Sequence, residues 1–183
     1  LVSRLRQGVE IASWDSKTFY LGGHSGYLDY PTFSARKRTM TPPAYETLKI
    51  ELADAVATVE MNRPEKANAM NLRMWLELRE AFKWIDEEAA IRVAVLRGAG
   101  PCFTAGIDLE LLGSVRQEIA DACDGRMREK LRRLILDLQD SLTSIERCRK
   151  PVLAAIHGHC IGGGVDLVCA CDMRYCSSDA TFS

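Results

Sequence analysis

Three consecutive glycines, Gly162-Gly163-Gly164, follow the apolar run 152–156 and precede a short segment of helical pattern that carries Asp166. Glycine loses more backbone freedom on folding than any other residue. A triplet is therefore kept where the chain needs bare peptide groups or a close approach of backbones. At a strand-to-helix junction such peptides present unpaired N–H groups beside the positive end of the helix dipole. That environment suits a negatively charged oxygen, on a ligand phosphate or developing in a reaction, with Asp166 close enough to exchange a proton. The alternative is a tight helix–sheet packing turn followed by a solvated Asp.

The rest of the pattern says what kind of sheet this turn belongs to. Residues 45–51 and 56–61 alternate apolar and polar side chains around Ala53-Asp54, predicting two strands and a short connection. Asn62-Arg63-Pro64 ends the second, and residues 65–69 form a polar loop. From Asn71, a candidate N-cap, to about Ala89, the residues Trp75, Leu78, Phe82 and Ile85 recur at helical spacing. The run 93–96 is continuously apolar and predicts a strand covered on both faces. After the loop 102–106 the pattern predicts a short helical turn and a charged connection over 121–126. A long helix with Leu131, Leu134, Leu138, Leu142 and Ile145 on one face follows, closed by Lys150-Pro151. Strands alternating with helices predict an α/β fold with parallel pairing, whose ligand sites lie at the carboxyl ends of the strands. Two glycine-bearing loops leave those ends, and one N–H from each can converge on a single oxygen.

Composition excludes several classes of function. With 183 residues, 47% hydrophobic and 27% charged, and a net charge of −1, the chain has no basic field for nucleic acid. No apolar run approaches the ~20 residues of a membrane-spanning helix. Seven cysteines include four in the stretch Cys160, Cys169, Cys171 and Cys176, at spacings that fit no zinc site. Buried free thiols are expected there, with no metal. His157 and His159 alternate as a metal pair would, but no third ligand lies nearby, so packing or loop hydrogen bonding is expected. Asp172 and Arg174 are expected to anchor the following strand, and residues 147–150 to be a charged helix end. Residues 1–43, with +3 net charge over the first forty and no periodicity, are expected to be a poorly ordered leader before a domain over 44–183.

Three segments together resemble the enoyl-CoA hydratase/isomerase (crotonase) superfamily. They are Asn62-Arg63-Pro64-Glu65-Lys66-Ala67-Asn68-Ala69-Met70-Asn71, Phe103-Thr104-Ala105-Gly106-Ile107-Asp108-Leu109, and Lys150-Pro151-Val152 through Gly164. The Gly-Gly-Gly-Val-Asp-Leu segment and the Ala-Cys-Asp-Met-Arg-Tyr-Cys run resemble its dienoyl-CoA isomerase branch. The hydratases typically carry Glu where this chain has Asp166.

The resemblance implies a crotonase-like spiral of ββα units whose C-terminal part lies beyond Ser183. It implies a thioester carbonyl held by the backbone amides of Ile107 and Gly163, with Gly164 completing the turn, and Asp166 as one active-site carboxylate. Lys66, Ala67, Ala69, Ala105, Gly106, Ile107, Asp108 and Leu109 match segments that line the CoA path. Lys66 is alternatively an exposed loop lysine, and Asp108 alternatively a helix cap. The implied reaction shifts both double bonds of a 3,5-dienoyl-CoA to give the 2,4-dienoyl-CoA of fatty-acid β-oxidation. The implied substrate is an acyl-CoA thioester, CoA being part of the substrate and no separate cofactor being needed. A homo-trimer or hexamer in mitochondria or peroxisomes is implied for a complete member, and no nucleic-acid or membrane partner. Enoyl-CoA hydration and a truncated, non-catalytic acyl-CoA-binding protein are the alternatives.

Overall fold

The computed structural model describes residues 41–183. Apart from its last three positions, the leader expected over 1–43 lies outside the described residues. The chain runs through β1 (Leu48–Ala53), β2 (Val56–Met61), α1 (Leu72–Glu87), β3 (Val93–Gly98), α2 (Leu109–Glu118) and α3 (Asp124–Glu146). It continues through β4 (Val152–Ile156), β5 (His159–Cys160), α4 (Gly163–Cys169), β6 (Met173–Cys176) and β7 (Thr181–Phe182). One sheet has the order β1-β2-β3-β4-β6, and a second pairs β5 with β7. Only β1–β2 is antiparallel; every later pair is parallel, as the strand–helix alternation predicts.

The β1–β2 hairpin closes through Asp54 and Ala55, both at positive φ (46° and 66°), a two-residue turn whose twist matches the flanking strands. The first strand begins three residues later than its alternation suggests, because residues 45–47 serve α1 instead. The buried carboxylate of Glu77 accepts from the amides of Glu46 and Thr47, each at 2.8 Å, and from the Thr47 hydroxyl at 2.5 Å. Arg73, one helical turn earlier, adds an ion pair at 2.8 Å. Burial alone would raise the Glu77 pKa. The Thr47 hydroxyl, the two amides and Arg73 outweigh it and hold the group below the usual glutamate value. The stability this contributes is full above the ordinary glutamate pKa and is lost as pH falls through the lowered folded-state value. Glu77→Gln is therefore expected to cost about 1–3 kcal/mol near neutral pH, because an amide NH2 is then aimed at donors. It should also flatten the acid limb of a Tm-against-pH curve. An unchanged limb would mean that Glu77 does not tie the strand to the helix.

Helix α1 forms because Met74, Trp75, Leu78, Ala81, Phe82 and Ile85 share one buried face and the Asn71 side chain caps the Met74 amide at 2.9 Å. That face belongs to a core shared with Ala57, Val59 and Met61 of β2, Ala94 and Leu96 of β3, and Val152, Ala154 and Ile156 of β4. The charged residues after α3 do more than end a helix. Arg149 grips Asp86 (2.8 Å) and Lys150 donates to the carbonyls of Ile85 and Glu88, tying the end of α1 to the start of β4. Asp172 accepts from the Val152 amide at 2.8 Å, and Arg174 donates to the carbonyls of Val168 and Cys171, the expected strand anchors.

Three expectations are corrected. Strand β3 is covered on one face only. On the other, Val93 and Val95 are half-buried, and Arg97 is exposed and paired with Glu60 across the sheet at 2.6 Å. The apolar stripe of α3 is buried only toward its C-terminal end, at Ser141 and Ile145; Leu131 and Leu134 are half-buried, and the helix begins at Asp124, inside the expected connection. All seven cysteines are free, but of the clustered four only Cys160 and Cys171 are buried; Cys169 and Cys176 are exposed.

Candidate active site

Three chain segments meet at the carboxyl ends of β2, β3 and β4. After β2, Pro64–Lys66 makes a 3-10 turn that leads through Ala67 and Asn68, both at positive φ. Asparagine tolerates that conformation, and buried Asn68 uses its side chain fully. Its carbonyl oxygen accepts the Arg63 amide (3.0 Å), and its NH2 donates to the carbonyls of Ala99 and Cys102 (2.8 and 2.9 Å). The loop after β3 is thereby tied to the loop after β2. Ala105 N donates to Ala67 O at 2.9 Å, and the Thr104 hydroxyl donates to Asn68 O at 2.7 Å.

The third segment, after β4, zips onto the same loop. Phe103 N donates to His157 O, Thr104 N to His159 O and Ile161 N to Thr104 O, at 2.8, 3.0 and 3.1 Å. The histidines thus lie in loop pairing, with His157 Nε2 at 2.9 Å from Gly100 O and His159 Nδ1 at 2.7 Å from Thr181 Oγ1. The described residues hold no cluster of metal-ligating side chains. The approach is close enough to require glycine. A methyl on Gly106, whose φ is +88°, would lie 2.5 Å from Ile161 O, and one on Gly164 would lie 2.4 Å from Thr104 Cγ2.

Among the amides of residues 104–108 and 162–165, two have no acceptor among the described residues. In the β3 loop, Thr104, Ala105 and Asp108 donate to main-chain carbonyls and Gly106 donates to Thr104 Oγ1. Ile107 N has no acceptor among the described residues. The reason is geometric: Met70 N bonds Gly106 O (2.8 Å) and Asp108 N bonds Met70 O (3.1 Å), so the pairing straddles Ile107 and turns its own N–H to the far side. In the glycine turn, Gly162 N donates to Ser183 O, Gly164 N to Ile161 O and Val165 N to Gly162 O. Gly163 N has no acceptor among the described residues, because the N-cap is a glycine without a capping side chain. The two residues are neighbours: a methyl on Gly163 would lie 3.2 Å from Ile107 Cγ1.

Asp166 lies on the first turn of α4, exposed, and its side chain makes no hydrogen bond or ion pair among the described residues. Asp108 is differently placed. Its carboxylate caps α2 by accepting the Glu110 amide (3.0 Å) and pairs with Arg63 at 2.9 Å. Arg63, then the Glu110 amide, hold it below the usual aspartate pKa, so the contacts that support the loop favour its charged form. Lys66 is exposed, 3.4 Å from Glu110. Ala105 is exposed, Ala67 and Ala69 are half-buried, and Leu109, the first residue of α2, is 80% exposed. A cleft of about 580 Å³ lies elsewhere, on the open sheet face around Arg97, His157 and Tyr175.

The structure thus brings Ala67 and Ala69 against the loop 105–108 and sets Gly106 and Ile107 beside Gly163, with Gly164 packed on Thr104; the Lys66 side chain pairs instead with Glu110, and the Asp166 side chain makes no hydrogen bond or ion pair with any of them. Pattern reading missed Arg63, Asn68 and Thr104, whose polar atoms hold the loops in register. The one local signal was Asn68, an amide side chain in a loop that reverses direction.

Comparison with known proteins follows the same segments. Residues 51–183 match the family described as enoyl-CoA hydratase/isomerase. The chain is 47% identical over 148 residues to the peroxisomal delta(3,5)-delta(2,4)-dienoyl-CoA isomerase of Arabidopsis thaliana, covering 79% of this chain and 53% of that protein. It is 49% identical over 139 residues to the mitochondrial delta(3,5)-delta(2,4)-dienoyl-CoA isomerase of Mus musculus, covering 75% and 42%. The crystal structure of an enoyl-CoA hydratase/carnithine racemase from Magnetospirillum magneticum superposes with a TM-score of 0.67 at 36% identity, covering 76% of this chain and 49% of that one. The chain spans about half the length of the curated relatives it matches.

Proposed function

Because the chain belongs to the enoyl-CoA hydratase/isomerase family and has its α/β crotonase-like fold, we propose that the whole protein isomerises a 3,5-dienoyl-CoA to the 2,4-dienoyl-CoA in fatty-acid β-oxidation. The observation that carries this reading is the pair of amides without acceptors among the described residues, Ile107 N and Gly163 N, on neighbouring residues of two different loops. Two such donors suit a thioester carbonyl oxygen, and removing one donor of this kind typically raises a barrier by about 3 kcal/mol. As the held oxygen takes on negative charge, the C2–H becomes acidic. A base removes that proton, the C3=C4 and C5=C6 bonds become C2=C3 and C4=C5, and an acid delivers a proton to C6. One proton leaves and one returns, so the reaction is redox-neutral and asks for no cofactor.

Asp166 is one of the two proton-handling groups in this scheme. Transfer at C2 and at C6 calls for a second group of different proton affinity. Residues 66–69 and 105–109 form the wall along which the CoA moiety lies, with Leu109 toward its apolar part. The relatives' names supply the choice of substrate and the expected location, mitochondrial or peroxisomal. A homo-trimer or hexamer is the expected assembly. No helix among the described residues is long and apolar enough to cross a membrane.

The test is to mix the protein with a 3,5-dienoyl-CoA and follow the ultraviolet absorbance of the conjugated 2,4-dienoyl thioester while measuring binding by calorimetry. Growth of the conjugated chromophore is expected. A 3-hydroxyacyl-CoA product from an enoyl-CoA, with no dienoyl turnover, would replace isomerisation with hydration. Binding without either product would leave only an acyl-CoA-binding role.

A further inference from the structure

Arg63 makes two contacts that bracket the Ile107 amide. Through a single nitrogen, Nη1, it donates to the Ala69 carbonyl and to Asp108 Oδ2, the latter at 2.9 Å. Ala69 immediately precedes Met70, and Asp108 immediately follows Ile107. Met70 and Ile107 are the two residues of the bridge that turns the Ile107 N–H outward. Both partners are well shielded, with side chains 14% and 9% exposed, so water competes poorly for either. The same carboxylate caps α2, so a shift of Asp108 would move the start of that helix and the peptide before it.

We propose that Arg63 is a positioning residue for the thioester site, a cationic clip that holds the Ala69–Met70 and Ile107–Asp108 strands at the spacing that aims the Ile107 amide at the substrate oxygen. The proposal rests on the reading of Ile107 N and Gly163 N as the carbonyl donors. Arg63 reaches no substrate atom in this scheme; it acts through the peptide. Without its charge, Asp108 is a shielded anion with no counter-ion, and Ala69 O loses its donor. Relaxation of either opens the bridge. A displacement of well under 1 Å at a donor is enough to weaken a transition-state contact while leaving the binding of the CoA moiety largely intact.

The measurement is the carbonyl stretch of a bound acyl-CoA labelled with 13C at the thioester carbon, read beside steady-state kinetics with a 3,5-dienoyl-CoA. Wild type is expected to move the stretch to lower frequency than in free ligand. Arg63→Met should return it toward the free value and lower kcat about tenfold, with KM changed by no more than about twofold. Arg63→Lys should recover at least half of both effects, because one cationic nitrogen makes both contacts. A merely structural role would lower the folded fraction without moving the frequency of the molecules that bind. If Arg63→Met fails to fold, Asp108→Asn keeps a capping oxygen and removes only the charge; the same direction of change is expected from it. A folded Arg63→Met, or failing that a folded Asp108→Asn, with wild-type frequency and kcat overturns the proposal. A wild-type protein that binds acyl-CoA with no carbonyl shift overturns the donor reading itself, and the role of Arg63 with it.

Discussion

Asp166→Asn is expected to lower turnover of a 3,5-dienoyl-CoA by at least about 10²-fold, the lower range for a positioned acid–base group, while acyl-CoA binding persists. The replacement has the same shape and cannot accept a proton at neutral pH. The Asp166 side chain makes no hydrogen bond or ion pair among the described residues and is exposed on the first turn of α4, so the change removes no structural contact. Loss of turnover therefore reports chemistry rather than folding. Steady-state kinetics with calorimetry of acyl-CoA binding checks both halves. Turnover equal to wild type would remove Asp166 from the mechanism.

Gly106→Ala should damage the site from the backbone side, with turnover falling on the order of 10²-fold, about the loss seen when one carbonyl donor is withdrawn. An added methyl would lie 2.5 Å from the Ile161 carbonyl oxygen, and the residue holds φ at +88°. The contact is with main chain on both sides, so neither loop can yield without separating the segments that carry Ile107 and Gly163. Backbone strain of roughly 1–3 kcal/mol is expected to lower Tm by several degrees. Gly113→Ala, in α2, is the control: an added methyl there meets nothing within 4 Å. In a helix interior that change should be neutral or stabilising by up to about 1 kcal/mol. If Gly106→Ala and Gly113→Ala have equal turnover, the close approach of the two loops is not needed for activity.

The elements that were legible in the sequence are those whose signals are local. Helix α1 announces itself by the spacing of Trp75, Leu78, Phe82 and Ile85 and by the Asn71 cap. The glycine triplet marks a turn whose Gly163 amide is indeed without an acceptor among the described residues. What was not legible depends on distant partners. Residues 45–47 alternate like a strand, yet they turn toward Glu77, thirty positions away, whose carboxylate supplies better acceptors than a strand edge. The run 93–96 reads as covered on both sides because Val93 and Val95 are apolar, but apolar residues also occur on half-open faces. Arg63 and Thr104 stand inside the recognisable segments, and nothing local distinguishes an arginine that clips two loops from one in solvent.

The two unpartnered amides belong to the main chain, and this has a consequence for how such a scaffold can change. A donor made of peptide survives replacement of its side chain provided the fold holds, so Ile107 could be exchanged for another residue of similar bulk without altering the amide hydrogen left without an acceptor.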